Sequence, residues 1–296
     1  MKNKSEQWEQ ITKSFPPFNP LDKNWRRSGP IAGAFSVRDV ETNGDRYWLM
    51  LLQLAAQNLS YNDITNLSLV KHRNYGNPYT VNCRGINIDM DYLKSIKEYN
   101  SIIEFSKSFT TNFTNILEIG AGYGRTAHTL LSLINSIRSY TIVDLPEVLE
   151  ISKSYLEKVL TEEQFNKLFF ITPTHFFTSS VLGGKIDLCI NIDSMNEMDV
   201  EVVDMYLDYV SLNCLSFYCK NPIAKYDNQF LHQNTNYKNA ISSGPIKKQI
   251  NMFSDLEIQD AAPEYIKTYT PKDHDVLFAK HSEPFSYYYE LITQQK

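Results

Sequence analysis

The sequence predicts an α/β fold: a mostly parallel seven-stranded sheet with its last strand antiparallel, joined to an N-terminal, mainly helical cap. Three observations predict it. Ile116-Leu117-Glu118-Ile119 is a short apolar run, as expected of a strand covered on both faces, and it leads directly into Gly120-Ala121-Gly122-Tyr123-Gly124-Arg125. Strand-like and helix-like stretches then alternate through the C-terminal half. The chain closes on what reads as a pair of strands.

At 296 residues the chain is long enough for one large α/β domain with an added cap. Residues 1–40 are polar and broken by Pro16, Pro17, Pro20, Gly29 and Pro30, which predicts an extended arm. Trp8, Phe15, Phe18 and Trp25 would give the arm something to bury, and a homodimer held by it is expected. Residues 41–110 read as a helical cap or substrate region. Within it, Tyr47 to Leu59 predicts a helix with Leu49, Leu52, Ala56 and Leu59 on one face. Residues 68–90 read as short strands or loops around Gly76-Asn77-Pro78. A second helix is predicted from Asp91 to Phe109, with Tyr92, Ile96, Tyr99 and Ile103 on one face and Asp89 or Asp91 as its N-cap.

Residues 111–296 carry the alternating pattern. After the glycines a helix begins near Tyr123, with Ala127, Leu130, Leu131, Ile134 and Ile137 as its buried stripe. Ser139 to Val143 is the next strand. Pro146 suits the first turn of the following helix, where its missing N–H would be unpaired anyway. Lys167 to Thr172 is a third strand stopped by Pro173, and Gly183-Gly184 turns into a fourth, Ile186 to Ile192. Asp199 to Val210 reads as a helix and Leu215 to Cys219 as a fifth strand. A polar segment, 220–242, interrupts the pattern. Glu264 to Thr270 and His274 to Lys280 read as the two final strands.

Composition narrows the function classes. A net charge of −5 argues against a general nucleic-acid binder, which would show a basic domain. The four cysteines, Cys83, Cys189, Cys214 and Cys219, form no C-x-x-C pair or zinc-like spacing and read as reduced structural thiols. The N-terminus lacks the apolar core of a signal peptide, and no apolar window approaches the ~20 residues of a spanning helix. A soluble, cytoplasmic protein is expected.

The glycine turn and the acid beyond it point to a nucleoside site. Alternate glycines let the backbone bend and approach a ligand. Asp144 ends the next strand ~20 residues on, where a doubly wound fold places the acid that holds a ribose. A pyrophosphate-binding fingerprint would be G-x-G-x-x-G, but position 125 is Arg, and Glu118 precedes the first glycine. A carboxylate there repels a pyrophosphate and suits the cationic end of S-adenosylmethionine (SAM). An NAD-dependent oxidoreductase uses the same strand–glycine–acid geometry and stays as the alternative, as does a catalytically silent partner subunit.

Four stretches carry a family resemblance: Ile116 to His128 (ILEIGAGYGRTAH), Tyr140 to Tyr155 (YTIVDLPEVLEISKSY), Ile190 to Asp199 (INIDSMNEMD) and Phe217 to Pro222 (FYCKNP). They resemble the sugar O-methyltransferases of bacterial surface-polysaccharide gene clusters, over roughly residues 60–281. The resemblance implies a class I methyltransferase (Rossmann-like) domain over 111–296, a SAM cofactor leaving as S-adenosylhomocysteine, and a sugar hydroxyl as acceptor, free or carried on a nucleotide or glycan. Another small-molecule hydroxyl or an amine is the alternative acceptor.

The resemblance and the strand-tip argument place Glu118, Gly120, Ala121, Gly122, Gly124, Arg125, Asp144, Leu145, Thr174 and Asn191 at the cofactor. Methyl transfer needs a nucleophile held in line and a base for its proton. Glu197, Asp193 and His175 follow strands at the sheet's carboxyl edge and are the candidate bases. His128 reads as structural. Asp193, Glu197 and Asp199 could offer oxygens to a divalent ion, but no metal is expected. Asn196 and Asn221, which both donate and accept, and the basic pair His72 and Arg73 are candidate acceptor contacts.

Overall fold

The computed structural model describes residues 4–13, 23–28, 44–109, 112–178, 184–226 and 241–296. Phe15, Phe18 and the prolines and glycine of the predicted arm lie outside them. So does Gly183.

A seven-stranded sheet organises the chain, in the order β10-β11-β7-β6-β3-β4-β5. Its first five strands are β3 (Asn115–Ile119), β4 (Ser139–Val143), β5 (Leu168–Ile171), β6 (Ile186–Ile192) and β7 (Cys214–Pro222), and all run parallel. The pair β10 (His274–His281) and β11 (Tyr288–Gln295) closes the sheet, with β11 antiparallel to both β7 and β10. This is the predicted sheet. Strand order reverses beside β3, so the carboxyl ends of β3, β4 and β6 open on a crevice where ligands collect in such folds.

Helices cover both faces. On one, α6 (Arg125–Leu133) and α7 (Pro146–Val159) bury Leu130, Tyr155 and Leu156 against Ile116, Ile142 and Ile190. On the other, α10 (Val200–Asn213) and a helix at Asp255–Tyr269 bury Tyr206, Val210, Tyr265 and Tyr269 against Leu117, Cys189 and Phe217. Short helices α8 (Glu162–Phe165) and α9 (Pro173–Thr178) flank β5, and the short strands β8 (Lys225–Tyr226) and β9 (Gln249–Ile250) pair in parallel apart from the main sheet.

Glu264 to Thr270 is therefore not a strand. It is the end of helix α11, Asp255–Tyr269. Ile258, Ala261, Tyr265 and Tyr269 recur at three- and four-residue spacing and are buried, and the Ser254 side chain accepts from Glu257 N. The strand that pairs with His274–His281 is Tyr288–Gln295, which lacks a clean alternation because both its faces are covered. Even Glu290 is buried there, accepting from the Tyr218 hydroxyl at 3.1 Å.

The cap packs on this domain through its own apolar cluster. α3 (Gly44–Gln57) and α4 (Tyr61–Leu69) bury Leu52, Ala56, Leu59 and Leu67 against the hairpin β1–β2 (Val81–Cys83, Ile86–Ile88) and α5 (Met90–Phe109). Asp89 caps α5 by accepting from Tyr92 N at 3.2 Å.

The N-terminal segment, expected to be extended, contains two helices, α1 (Glu6–Lys13) and α2 (Trp25–Ser28). Two of its aromatic anchors, Trp8 and Trp25, make contacts within the chain. Trp25 packs edge-on against Tyr123 and Tyr155. Arg26, buried beside it, donates to the Arg73 carbonyl at 2.6 Å, to Asp89 at 2.6 Å and to Asp91 at 3.0 Å. A buried guanidinium tolerates loss of water only with such partners. No helix among the described residues is long and apolar enough to cross a membrane.

Candidate functional site

The glycine turn is built by backbone geometry. Gly120, Gly122 and Gly124 all have positive φ, of 74°, 58° and 95°. Gly120 N donates to Val143 O at 2.8 Å, which ties the turn to the tip of β4. A Cβ on Gly120 would lie 2.1 Å from Ser194 Oγ, so the loop after β6 closes against bare backbone. Gly124 starts α6.

Asp144 locks the turn to the next strand. One carboxylate oxygen accepts from Gly122 N at 3.0 Å and the other from Leu145 N at 2.7 Å. Each oxygen keeps a lone pair for a further donor. Burial nevertheless pushes the carboxyl up to about 7, against the two backbone donors that favour the ion.

Glu118 sits below the turn, 1% exposed, and accepts from the Tyr140 hydroxyl at 2.7 Å. Burial raises its carboxyl to about 7, while the hydrogen bonds of Tyr140 and Thr126 and the charge of Arg125 oppose that shift.

The loop after β6 supplies two more acids. Asp193 has φ 66°, a left-handed conformation that Asp tolerates better than most residues, and its N donates to Lys220 O at 2.8 Å. Its two carboxylate oxygens lie 2.9 and 3.1 Å from the Tyr288 hydroxyl. Glu197 ends the 3₁₀ turn Met195–Glu197 and accepts the indole N–H of Trp8 at 2.7 Å. Its carboxyl is raised to about 7, first by burial and then by the charge of Asp193; Trp8 and Lys225 hold it down.

Together these groups line one cavity of about 300 Å³ at the carboxyl edge of the sheet. Glu118, Gly120, Ala121, Gly122, Arg125, Asp144, Leu145, Asp193 and Glu197 all face it, and Gly124 supports it from the start of α6. Leu145, Val148, Pro173, Val202 and Tyr206 give it an apolar wall.

Other predicted residues fall elsewhere. Thr174 and His175 are exposed on α9 and do not line the cavity. Asn191 and Asn221 are fully buried on neighbouring strands. Asn221 Nδ2 donates to Asn191 Oδ1 at 2.9 Å, while Asn191 Nδ2 reaches Ile119 O and Ser194 Oγ. They brace the loop from behind. Asn196 presents its backbone, its carbonyl accepting from Lys225 at 2.8 Å and its N donating to Asn221. Arg73 is buried in the cap, donating to the Leu67 and Asn87 carbonyls, and His72 is exposed; neither lines the cavity. His128 is buried inside α6 with its Nδ1 on the Tyr92 hydroxyl, and burial depresses its pKa to about 3. Among the described residues no group of three or more His, Cys, Asp or Glu is arranged to hold a metal ion.

The cavity also takes residues that sequence reasoning passed over. Lys4, Ser5 and Trp8 reach it from the N-terminal segment, where Lys4 also pairs with Glu147 at 3.0 Å. Asp91 and Lys94 reach it from α5. Behind them Glu98, its carboxyl lowered to about 2 by surrounding cations that outweigh burial, accepts from Arg125 at 2.9 Å and Lys220 at 2.9 Å. The available signal was Lys94 and Glu98 standing four apart among Leu93, Ile96 and Ile102, polar residues on a face that otherwise buries.

No protein-family model matches the chain, and no curated protein matches it in sequence. Solved structures of similar shape exist. The methyltransferase domain of a bacterial CtHen1 aligns over 67% of this chain and 97% of its own, with 16% identity and a TM-score of 0.46. A S-adenosylmethionine-dependent methyltransferase from Clostridium acetobutylicum aligns over 67% and 91%, with 14% identity and a TM-score of 0.43. An O-methyltransferase family 2 protein from Planctomyces limnophilus aligns over 82% and 65%, with 9% identity and a TM-score of 0.45. Likenesses this distant leave the functional reading to the geometry of the site.

Proposed function

We propose that the chain is a SAM-dependent O-methyltransferase. The observation that carries this reading is the pairing, in one cavity, of a glycine turn locked by Asp144 with the acids Asp193 and Glu197 across from it. The residues fit the cofactor. Asp144 offers two oxygens to a ribose diol, Glu118 and Asp193 offer negative charge to a sulfonium and an ammonium, and the Leu145, Val148 and Tyr206 wall offers apolar surface to a base. Bound there, SAM supplies the electrophilic methyl group.

The protein's part is to hold and to take a proton. Holding two reactants in attack geometry is worth about 7–11 kcal/mol in favourable cases. Glu197 is the candidate base, because a carboxyl raised to about 7 accepts a hydroxyl proton near neutral pH far better than an ordinary one. Asp193, fixed by Tyr288, is the alternative base; in either case its charge keeps the Glu197 carboxyl raised. Trp8 covers Glu197 and limits its contact with water.

The acceptor we favour is a sugar hydroxyl, a reading that rests on the resemblance of the four motifs. Two neighbouring acids beside the reacting centre also suit an amine, the second reading. Cytoplasmic location, a homodimer and action on surface polysaccharide belong to the same proposal.

Calorimetric titration with SAM, S-adenosylhomocysteine and NAD, repeated with Asp144→Ala, tests it. SAM or adenosylhomocysteine binding that weakens at least tenfold in the variant is expected. NAD binding alone would move the reading to an oxidoreductase, and binding of none would leave a silent subunit.

A further inference from the structure

Around the glycine turn the cavity wall carries both signs: Glu118 and Asp193 against Lys94 and Arg125. A site that needed only to neutralise a cation would not spend buried cations there.

Lys94 is the informative one. It is 6% exposed, and burial, reinforced by Arg125 and Lys220, lowers its pKa while Asp193 and Glu98 raise it. Glu98 does not balance these three cations by itself. One of its oxygens accepts from Lys220 and the other from Arg125, whose second nitrogen lies 3.3 Å from the first. The Lys94 ammonium lies 5.3 Å from the centre of the Tyr288 ring, and the hydroxyl of that ring holds Asp193. The Tyr288 ring thus contacts both a cation and an anion of the cavity wall. That is the complement of a zwitterion, with the carboxylate toward Lys94 and the ammonium toward Asp193 and Glu118.

We infer that Lys94, backed by Arg125, receives the carboxylate of an amino-acid arm carried by the nucleoside, so that the site selects SAM and adenosylhomocysteine over nucleosides lacking that arm. This rests on the SAM reading above and adds to it the group that recognises the methionyl end. Lys94 is a binding residue here, and the proton transfer remains with the acids.

Calorimetry with two ligands tests it without an acceptor. S-adenosylhomocysteine carries the amino-acid arm and 5′-methylthioadenosine does not. The native chain is expected to bind adenosylhomocysteine at least tenfold more tightly than methylthioadenosine. Lys94→Met is expected to weaken adenosylhomocysteine by about 10- to 100-fold, the value of a charge-assisted hydrogen bond, and to leave methylthioadenosine unchanged. Lys94→Arg should recover part of the loss. Equal loss on both ligands, or no loss, would overturn the inference, as would native protein that binds the two nucleosides equally. That last comparison needs no variant and so survives a Lys94→Met chain that fails to fold. Native protein that binds neither nucleoside, nor SAM, would sink the SAM reading itself and this inference with it.

Discussion

Trp8 donates its indole N–H to Glu197 at 2.7 Å, across 189 residues of sequence. The first helix of the chain therefore touches the candidate base directly. Because the donor favours the charged carboxylate, it opposes the burial that raises Glu197 to about 7. Trp8→Phe keeps an aromatic ring, though a smaller one, and removes the donor, so the Glu197 pKa should rise further, by roughly one unit, the scale of one neutral donor's hydrogen bond. Carbon-detected NMR titration of glutamate-labelled protein measures this without an acceptor. A Glu197 pKa that falls or stays fixed in Trp8→Phe would show that the hydrogen bond does not govern it.

Asp144 gives the apo protein a pH dependence of definite sign. Its carboxyl ionises near 3.8 when unfolded and near 7 when folded. Between those values the folded state holds the extra proton, so stability falls as pH rises from about 4 to about 7 and is level above. Glu118 and Glu197, also raised to about 7, act in the same direction. Each contributes no more than a few kcal/mol. Asp144→Asn should flatten the decline in Tm between pH 5 and 8 while weakening adenosylhomocysteine at least tenfold. A decline as steep as in the native protein would count against a raised Asp144.

The parts of the molecule legible in the sequence were those whose physics is local. The Ile116–Gly124 turn and the Pro146 helix start are set by neighbours within a few residues, and both formed where predicted. Position at a strand tip, by contrast, does not give side-chain direction. Asn191 and Asn221 stand near the tips yet turn inward to each other, and α9 carries Thr174 and His175 away from the cavity. Nor does local pattern show what distant segments bring. Trp8, Lys94 and Tyr288 come from three separate parts of the chain and meet the acids only through the tertiary fold. The Glu264–Thr270 stretch misled because its seven residues, rich in Tyr, Ile and Thr and read without the helical turns before them, resemble a strand.

Glu98 joins the cap to the sheet through buried charge. It links α5 to Arg125 of α6 and Lys220 of β7, and lies 1% exposed. Glu98→Gln leaves two buried cations short of a counter-charge, which costs about 3–5 kcal/mol when a buried pair is broken. Its carboxyl lies below the unfolded value, at about 2, so this stabilisation is present above about 4.5 and is lost as pH falls through about 2. Urea unfolding at pH 7 should show the full loss, and a Glu98→Gln midpoint equal to the native one would remove this role.

Gly120→Ala separates the two demands made on the glycine turn. One is conformational: φ is 74°, which costs an L-residue with a Cβ about 1–2 kcal/mol. The other is steric, since the added Cβ would stand 2.1 Å from Ser194 Oγ. Ser194 cannot yield cheaply, because its hydroxyl donates to Ile119 O at 3.1 Å and accepts from Asn191 at 2.6 Å. Moving it disturbs the loop that carries Asp193 and Glu197, so the variant should lose both stability and adenosylhomocysteine affinity. Adding Ser194→Gly removes the collision and leaves the backbone cost. The double variant should then regain part of the lost Tm and remain below the native protein by the conformational share. If Ser194→Gly rescues nothing, the collision is not what fixes Gly120, and the left-handed backbone alone requires it.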